Sequence, residues 1–92
     1  MTTPDIPCSS ISFEQRVEAL IFSSERPISE SRMKTVLGIE DEDATKQIKA
    51  AIETLNASYD TNARAFRIER VAGGYRPLTR EEFAPLVTRL HA

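Results

Sequence analysis

The chain has 92 residues, of which 40% are hydrophobic and 28% charged, and its formal net charge is −2. That length fits one compact domain and not two independent cores, and an apolar share a little under the globular norm of roughly 45 to 50% excludes disorder throughout. No apolar run approaches the roughly 20 residues of a membrane span, the opening Met1-Thr2-Thr3-Pro4-Asp5 is unlike a secretory signal, and a lone cysteine, Cys8, excludes an internal disulfide or a cysteine-pair metal site.

A cytoplasmic location is the default expectation, and Cys8 is expected to be an inert thiol. The net charge hides an asymmetry. Residues 1 to 63 carry 6 basic and 11 acidic side chains, whereas residues 64 to 80 carry 5 and 1.

Residues 1 to 11, with Pro4, Pro7, Ser9 and Ser10, show no periodicity and are expected to form a flexible leader, leaving 12 to 92 as a single domain. Ser12 stands three residues before Gln15, a capping-box spacing, and Phe13, Val17, Leu20 and Ile21 follow at helical intervals, so helix one is predicted over 13 to 24. Pro27 ends that pattern. Ser29 then caps a second helix over 30 to 37, with Met33, Val36 and Leu37 as its buried stripe and Gly38 as its left-handed terminus.

Glu40-Asp41-Glu42-Asp43 precede Ala44, Ile48, Ala51, Ile52, Leu55 and Tyr59, the stripe of what should be the longest helix, where acids complement the helix dipole. Past Asn62 the period changes to two. Phe66 and Ile68 alternate with Arg67 and Glu69, and Gly73-Gly74 supplies the turn of a hairpin. A three-residue Ala72-Gly73-Gly74 loop pairs Ile68 with Leu78 and turns Phe66, Ile68 and Leu78 inward, with Arg67, Glu69, Val71, Tyr75, Pro77 and Thr79 outward. Thr79 and Glu82 offer another capping box before Phe83, Leu86, Val87 and Leu90, and Pro85 must kink that last helix or restart it. The predicted class is α+β, mainly α: a winged helix-turn-helix of three helices, a small antiparallel wing and a kinked C-terminal helix, with Leu20, Ile21, Met33, Val36, Ile48, Ile52, Leu55, Ile68 and Leu78 buried.

Catalysis needs convergent acid, base, nucleophile or metal ligands, and the only histidine, His91, is next to the last residue, so no catalytic residue, cofactor or metal is expected. Four consecutive acids opening a helix are cap and dipole partners rather than a calcium loop. Nucleic acid is the serious competitor, because winged helices commonly place the third helix in the major groove. Here that helix begins with four acids, which phosphates repel. The wing arginines Arg64, Arg67, Arg70, Arg76 and Arg80 divide between solvated surface, protein contacts and phosphate contacts.

Five stretches, taken in order, point to a family. Glu18-Ala19-Leu20-Ile21-Phe22-Ser23-Ser24-Glu25-Arg26-Pro27-Ile28-Ser29 is similar to the opening helix and turn of segregation and condensation protein B. Val36-Leu37-Gly38-Ile39 and Leu55-Asn56-Ala57-Ser58-Tyr59 fit the ends of its second and third helices. Val71-Ala72-Gly73-Gly74-Tyr75-Arg76-Pro77-Leu78-Thr79-Arg80 looks like its wing, and Phe83-Ala84-Pro85-Leu86-Val87 like the start of its last helix. The resemblance implies a subunit without catalytic activity, nucleoid-associated, that dimerises and binds the kleisin, segregation and condensation protein A, of the structural-maintenance-of-chromosomes complex. It covers the first of that family's two tandem winged helices.

The expected function is thus a protein-docking module, with a DNA-binding regulator using its wing as the alternative. In the register above, Val71 and Tyr75 stand opposite each other on the outer wing face beside Arg67 and Pro77. Arg67, Arg70, Val71, Gly73, Gly74, Tyr75 and Arg76 are therefore partner-binding candidates, and Phe22 on helix one is the competing patch. A homodimer is expected through one face or the other, unless the last helix folds back over the wing and makes it core.

Overall fold

The computed structural model describes residues 11 to 92, so the predicted leader lies, apart from Ile11, outside the described residues. Three helices come first: α1 (Phe13–Ser23), α2 (Glu30–Leu37) and α3 (Ala44–Thr61). A hairpin of β1 (Phe66–Val71) and β2 (Gly74–Thr79) follows, then a short 3-10 turn (Glu81–Phe83) and α4 (Ala84–Leu90). This is the winged helix-turn-helix order.

Local chemistry sets the boundaries. Ser12 Oγ accepts from the Gln15 N–H at 3.1 Å while Gln15 Oε1 accepts from the Ser12 N–H at 2.9 Å, which completes the capping box of α1. Ser29 Oγ likewise accepts from Arg32 N–H at 3.0 Å. Gly38 closes α2 at φ +70, where the Ile39 N–H reaches back to the Lys34 carbonyl at 3.1 Å.

Two expected caps differ. Asp43 occupies the N-cap position of α3 without a side-chain cap bond, and Asp41 Oδ1 instead accepts from the Asp43 N–H, so the acids order the turn ahead of the helix. The predicted Thr79–Glu82 box does not form either, because Arg80 stands at the start of the 3-10 turn, again without a side-chain cap. Pro85 lies in the first turn of α4, where its missing N–H breaks no helical bond, so the chain restarts there.

The core is Val17, Ile21, Met33, Ile48, Ala51, Ile52, Leu55, Tyr59, Ile68 and Tyr75, with Leu20, Leu37, Phe13 and Phe66 packed at its margin. Of the residues predicted as core, Leu20 is only half-buried at this margin, and two more are exposed. Val36 is 49% exposed, and Met33 is the one residue that α2 buries. Leu78 is 38% exposed, for a reason that lies in the register.

β1 and β2 pair as Phe66↔Thr79, Ile68↔Pro77, Arg70↔Tyr75 and Val71↔Gly74. The loop is therefore the two residues Ala72 and Gly73, both at positive φ (+50 and +79), as a type I′ turn requires. Relative to the predicted register β2 slips by one residue, which moves all of it to the other face. Tyr75 and Pro77 turn inward, and Leu78 turns out.

Gly74 explains the slip. A Cβ there would lie 2.8 Å from the Pro27 carbonyl carbon and 3.0 Å from the Ile28 backbone, so this glycine is needed for close approach rather than for the turn. Ile28 and Tyr75 exchange both backbone bonds, at 3.0 and 2.8 Å, in a one-residue bridge that adds the Pro27 segment to the wing.

Candidate docking surface

The wing candidates separate once the register is known. Tyr75 is 8% exposed, its ring in the core and its hydroxyl donating to Glu30 Oε1 at 2.8 Å. Burial, reinforced by the Glu30 carboxylate, raises its pKa above the ordinary tyrosine value. The outer patch expected of Val71 and Tyr75 therefore does not exist. Val71 stays on that face, half-buried opposite Gly74, and α4, which buries none of its own residues, is not what covers Tyr75. Gly73 is a turn residue and Gly74 a packing residue.

The arginines are largely engaged. Arg70 Nη1 lies 3.6 Å from Glu30 Oε1, and its guanidinium stands 5.7 Å over the Tyr75 ring, a cation–π distance. Arg67 Nε is 3.5 Å from Glu69 Oε1. Arg80 is held deepest: Nε donates to the Arg64 carbonyl at 2.7 Å and Nη2 to Asp60 Oδ1 at 2.6 Å, which pins the strand exit to the end of α3. Arg76 is exposed and pairs across the strands with Glu69.

Phe22 is where the apolar surface lies. It is 42% exposed, yet its ring is fixed edge-on against Phe66 (5.3 Å between centroids) and Tyr59 (6.4 Å). The Tyr59 hydroxyl donates to Glu18 on α1, and burial first, then that carboxylate, raise its pKa well above the ordinary value. This holds the rigid ring of Phe22 at the rim of a shallow groove with Gln15, Glu18, Ala19 and Phe66. A second groove, about 320 Å³, shares Gln15 and Ala19 with it and runs between α1 and α2, walled by Ile11, Leu20, Val36 and Leu37. The two grooves meet at Gln15 and Ala19, so a mainly apolar surface runs along the outer side of α1 from Phe22 to Val36 with Arg16 and Glu18 also in its lining, and Phe22 was the residue expected to lead it. Val36 is the missed signal: a valine that the helical period places beside the core, without room to enter it.

This arrangement can present surface. Residues 15–92 match the family model described as segregation and condensation complex subunit ScpB. The chain belongs to the ScpB family. A segregation and condensation protein B from Symbiobacterium thermophilum is 34% identical over 74 residues, which is 80% of this chain and 32% of that protein. Among solved structures, a conserved hypothetical protein from Chlorobium tepidum is 40% identical with a TM-score of 0.75, over 86% of this chain and 48% of the other. The N-terminal domain of an ScpB, solved as a dimer complexed with ScpA peptide, is 27% identical with a TM-score of 0.68, over 84% of this chain and 91% of that one. ScpB from Mycobacterium tuberculosis, at 18% identity and a TM-score of 0.70, shares the fold. The chain spans about a third of the curated ScpB relative. No helix among the described residues is long and apolar enough to cross a membrane.

Proposed function

We propose that this domain is a non-catalytic docking module of the chromosome segregation and condensation machinery, acting in the cytoplasm at the nucleoid. It pairs with a second copy through the outer side of α1 and takes part in holding the kleisin, ScpA. The observation that carries this reading is the apolar strip from Phe22 to Val36, exposed on a folded domain whose core is already filled. Family membership and the ScpB N-terminal domain solved as a dimer with ScpA peptide support it.

The DNA-binding alternative is weakened by the ion pairs. Arg67, Arg70 and Arg80 already face Glu69, Glu30 and Asp60, and four acids stand at the entry of α3. A phosphate contact by any of these three arginines would have to break an existing pair.

The test is light scattering on the full chain with calorimetric titration of an ScpA peptide. A dimer that Phe22→Glu weakens, with the fold retained by circular dichroism, is the expected result. A parent that stays monomeric at high concentration removes the self-association half of the reading, and absence of peptide binding removes the kleisin half.

A further inference from the structure

Two apolar surfaces of this chain have no cover among the described residues. One is the groove between α1 and α2, with Ile11, Ala19, Leu20, Val36 and Leu37 as walls. The other is the outer side of α4. Phe83 and Val87 turn toward the domain and are half-buried, whereas Leu86 and Leu90, one helical turn apart, are 65% and 77% exposed. A seven-residue helix with two leucines in solvent gains little from its own domain.

We propose that α4 of one copy seats Leu86 and Leu90 in the α1–α2 groove of a second copy, and that the exchange, made both ways, closes the dimer. The proposal rests on the self-association reading above and names its contact. Knob and groove fit by chemistry: two leucines one turn apart meet a slot walled by aliphatic side chains. Charge fits as well. Arg16 is the one charged residue lining the groove, and its Nε is buried without a hydrogen-bond partner among the described residues. The segment that leads into α4 brings Glu81 and Glu82, both exposed, against Arg89 alone at its far end, so it arrives with net negative charge. A carboxylate on that segment complements the positive charge of Arg16 as the leucines enter, without needing to reach the buried Nε. Made both ways about a two-fold axis, the contact covers both apolar surfaces in a closed dimer, whereas made one way only it would run on from copy to copy.

The experiment uses full-length chain throughout. A Val36→Cys chain and a Leu86→Cys chain, each also carrying Cys8→Ser, are mixed and mildly oxidised. A disulfide dimer containing one of each is the expected product. If light scattering shows a dimer and the mixed disulfide does not form, the α4 seating is overturned and self-association stands; if the chain is monomeric at every concentration, both go. Val36→Cys with Cys8 left in place asks whether the chain's own N-terminal residues fill the groove, and an intrachain disulfide there overturns the proposal. Leu86→Glu gives an independent reading: Leu86 is exposed, so the fold stays intact by circular dichroism while dimer affinity falls about tenfold or more. Unchanged affinity sinks the idea.

Discussion

Gly73 and Gly74 stand side by side in the sequence and do different work. Gly73 adopts the left-handed backbone of the turn, whereas Gly74 is buried where the Pro27–Ile28 backbone crosses the strand. Gly74→Ala should therefore cost about 1 to 3 kcal/mol, the usual penalty for forcing an extra methyl into a packed site, because the atoms it meets are backbone and cannot swing away. Ala72 holds the other left-handed position at φ +50, which an alanine occupies at a cost. Ala72→Asn creates the Asn-Gly pair that such turns favour and should stabilise the domain by about 0.5 to 1 kcal/mol. Urea unfolding of both variants checks the pair, and equal effects of the same sign would contradict the division of roles.

At the scale of elements, the helices were legible because capping and apolar spacing agree. Ser12 with Gln15, Ser29 and Gly38 bound two helices to within a residue of the prediction. The hairpin register differs from the predicted one, and Pro77 carries the signal that decides it. Hydrogen-bonded and non-bonded pairs alternate along an antiparallel ladder. With Val71↔Gly74 as the bonded pair closing the turn, Ile68↔Pro77 falls at a non-bonded position, where a proline's missing N–H costs nothing. The predicted register, closed at Val71 and Tyr75, would have set Pro77 opposite Glu69 at a bonded one. The same alternation leaves the N–H and C=O of Ile68 pointing away from β2. Asn56 on α3 meets them, its Oδ1 accepting at 2.9 Å and its Nδ2 donating at 3.0 Å. Asn56→Leu should cost about 1 to 3 kcal/mol by orphaning both groups. Tyr59 makes the second link between elements, to Glu18, and its raised pKa gives the link a pH signature. In the unfolded chain tyrosine loses its proton near pH 10, while the folded state holds it longer, so stability is full below that pH and falls as pH rises past it. Tyr75, also raised, adds to the same decline. Tyr59→Phe should lower stability by about 1 kcal/mol at neutral pH and flatten the alkaline fall, measured by urea unfolding from about pH 8 to 11. An unchanged alkaline slope would argue against the Tyr59 contribution.

For the whole molecule, the site was half legible: Phe22 was marked by its position on α1, whereas the groove beside it and the leucines of α4 were not, because both depend on what fails to pack against them. Sequence periodicity assigns Val36 and Leu86 to apolar stripes and says nothing about whether a partner element arrives. Salt then separates the two functions that a winged helix can serve. Binding to duplex DNA releases counterions in proportion to the phosphates neutralised, so its affinity falls steeply as salt is added, whereas burial of Phe22, Val36 and Leu86 displaces water and releases few ions. Here the five wing arginines carry three internal ion pairs, at Glu69, Glu30 and Asp60, leaving little free positive charge to drive the first process. Self-association measured from about 0.05 to 0.5 M salt should change by no more than a few-fold, since the single charge pair expected at the groove is screened while the apolar contact is not. Over the same range, random duplex DNA should show no micromolar binding at physiological ionic strength. Micromolar affinity with a steep salt slope, retained when Phe22 or Leu86 is replaced by glutamate and lost when Arg64 and Arg76 are replaced by alanine, would move the function from protein docking to the wing.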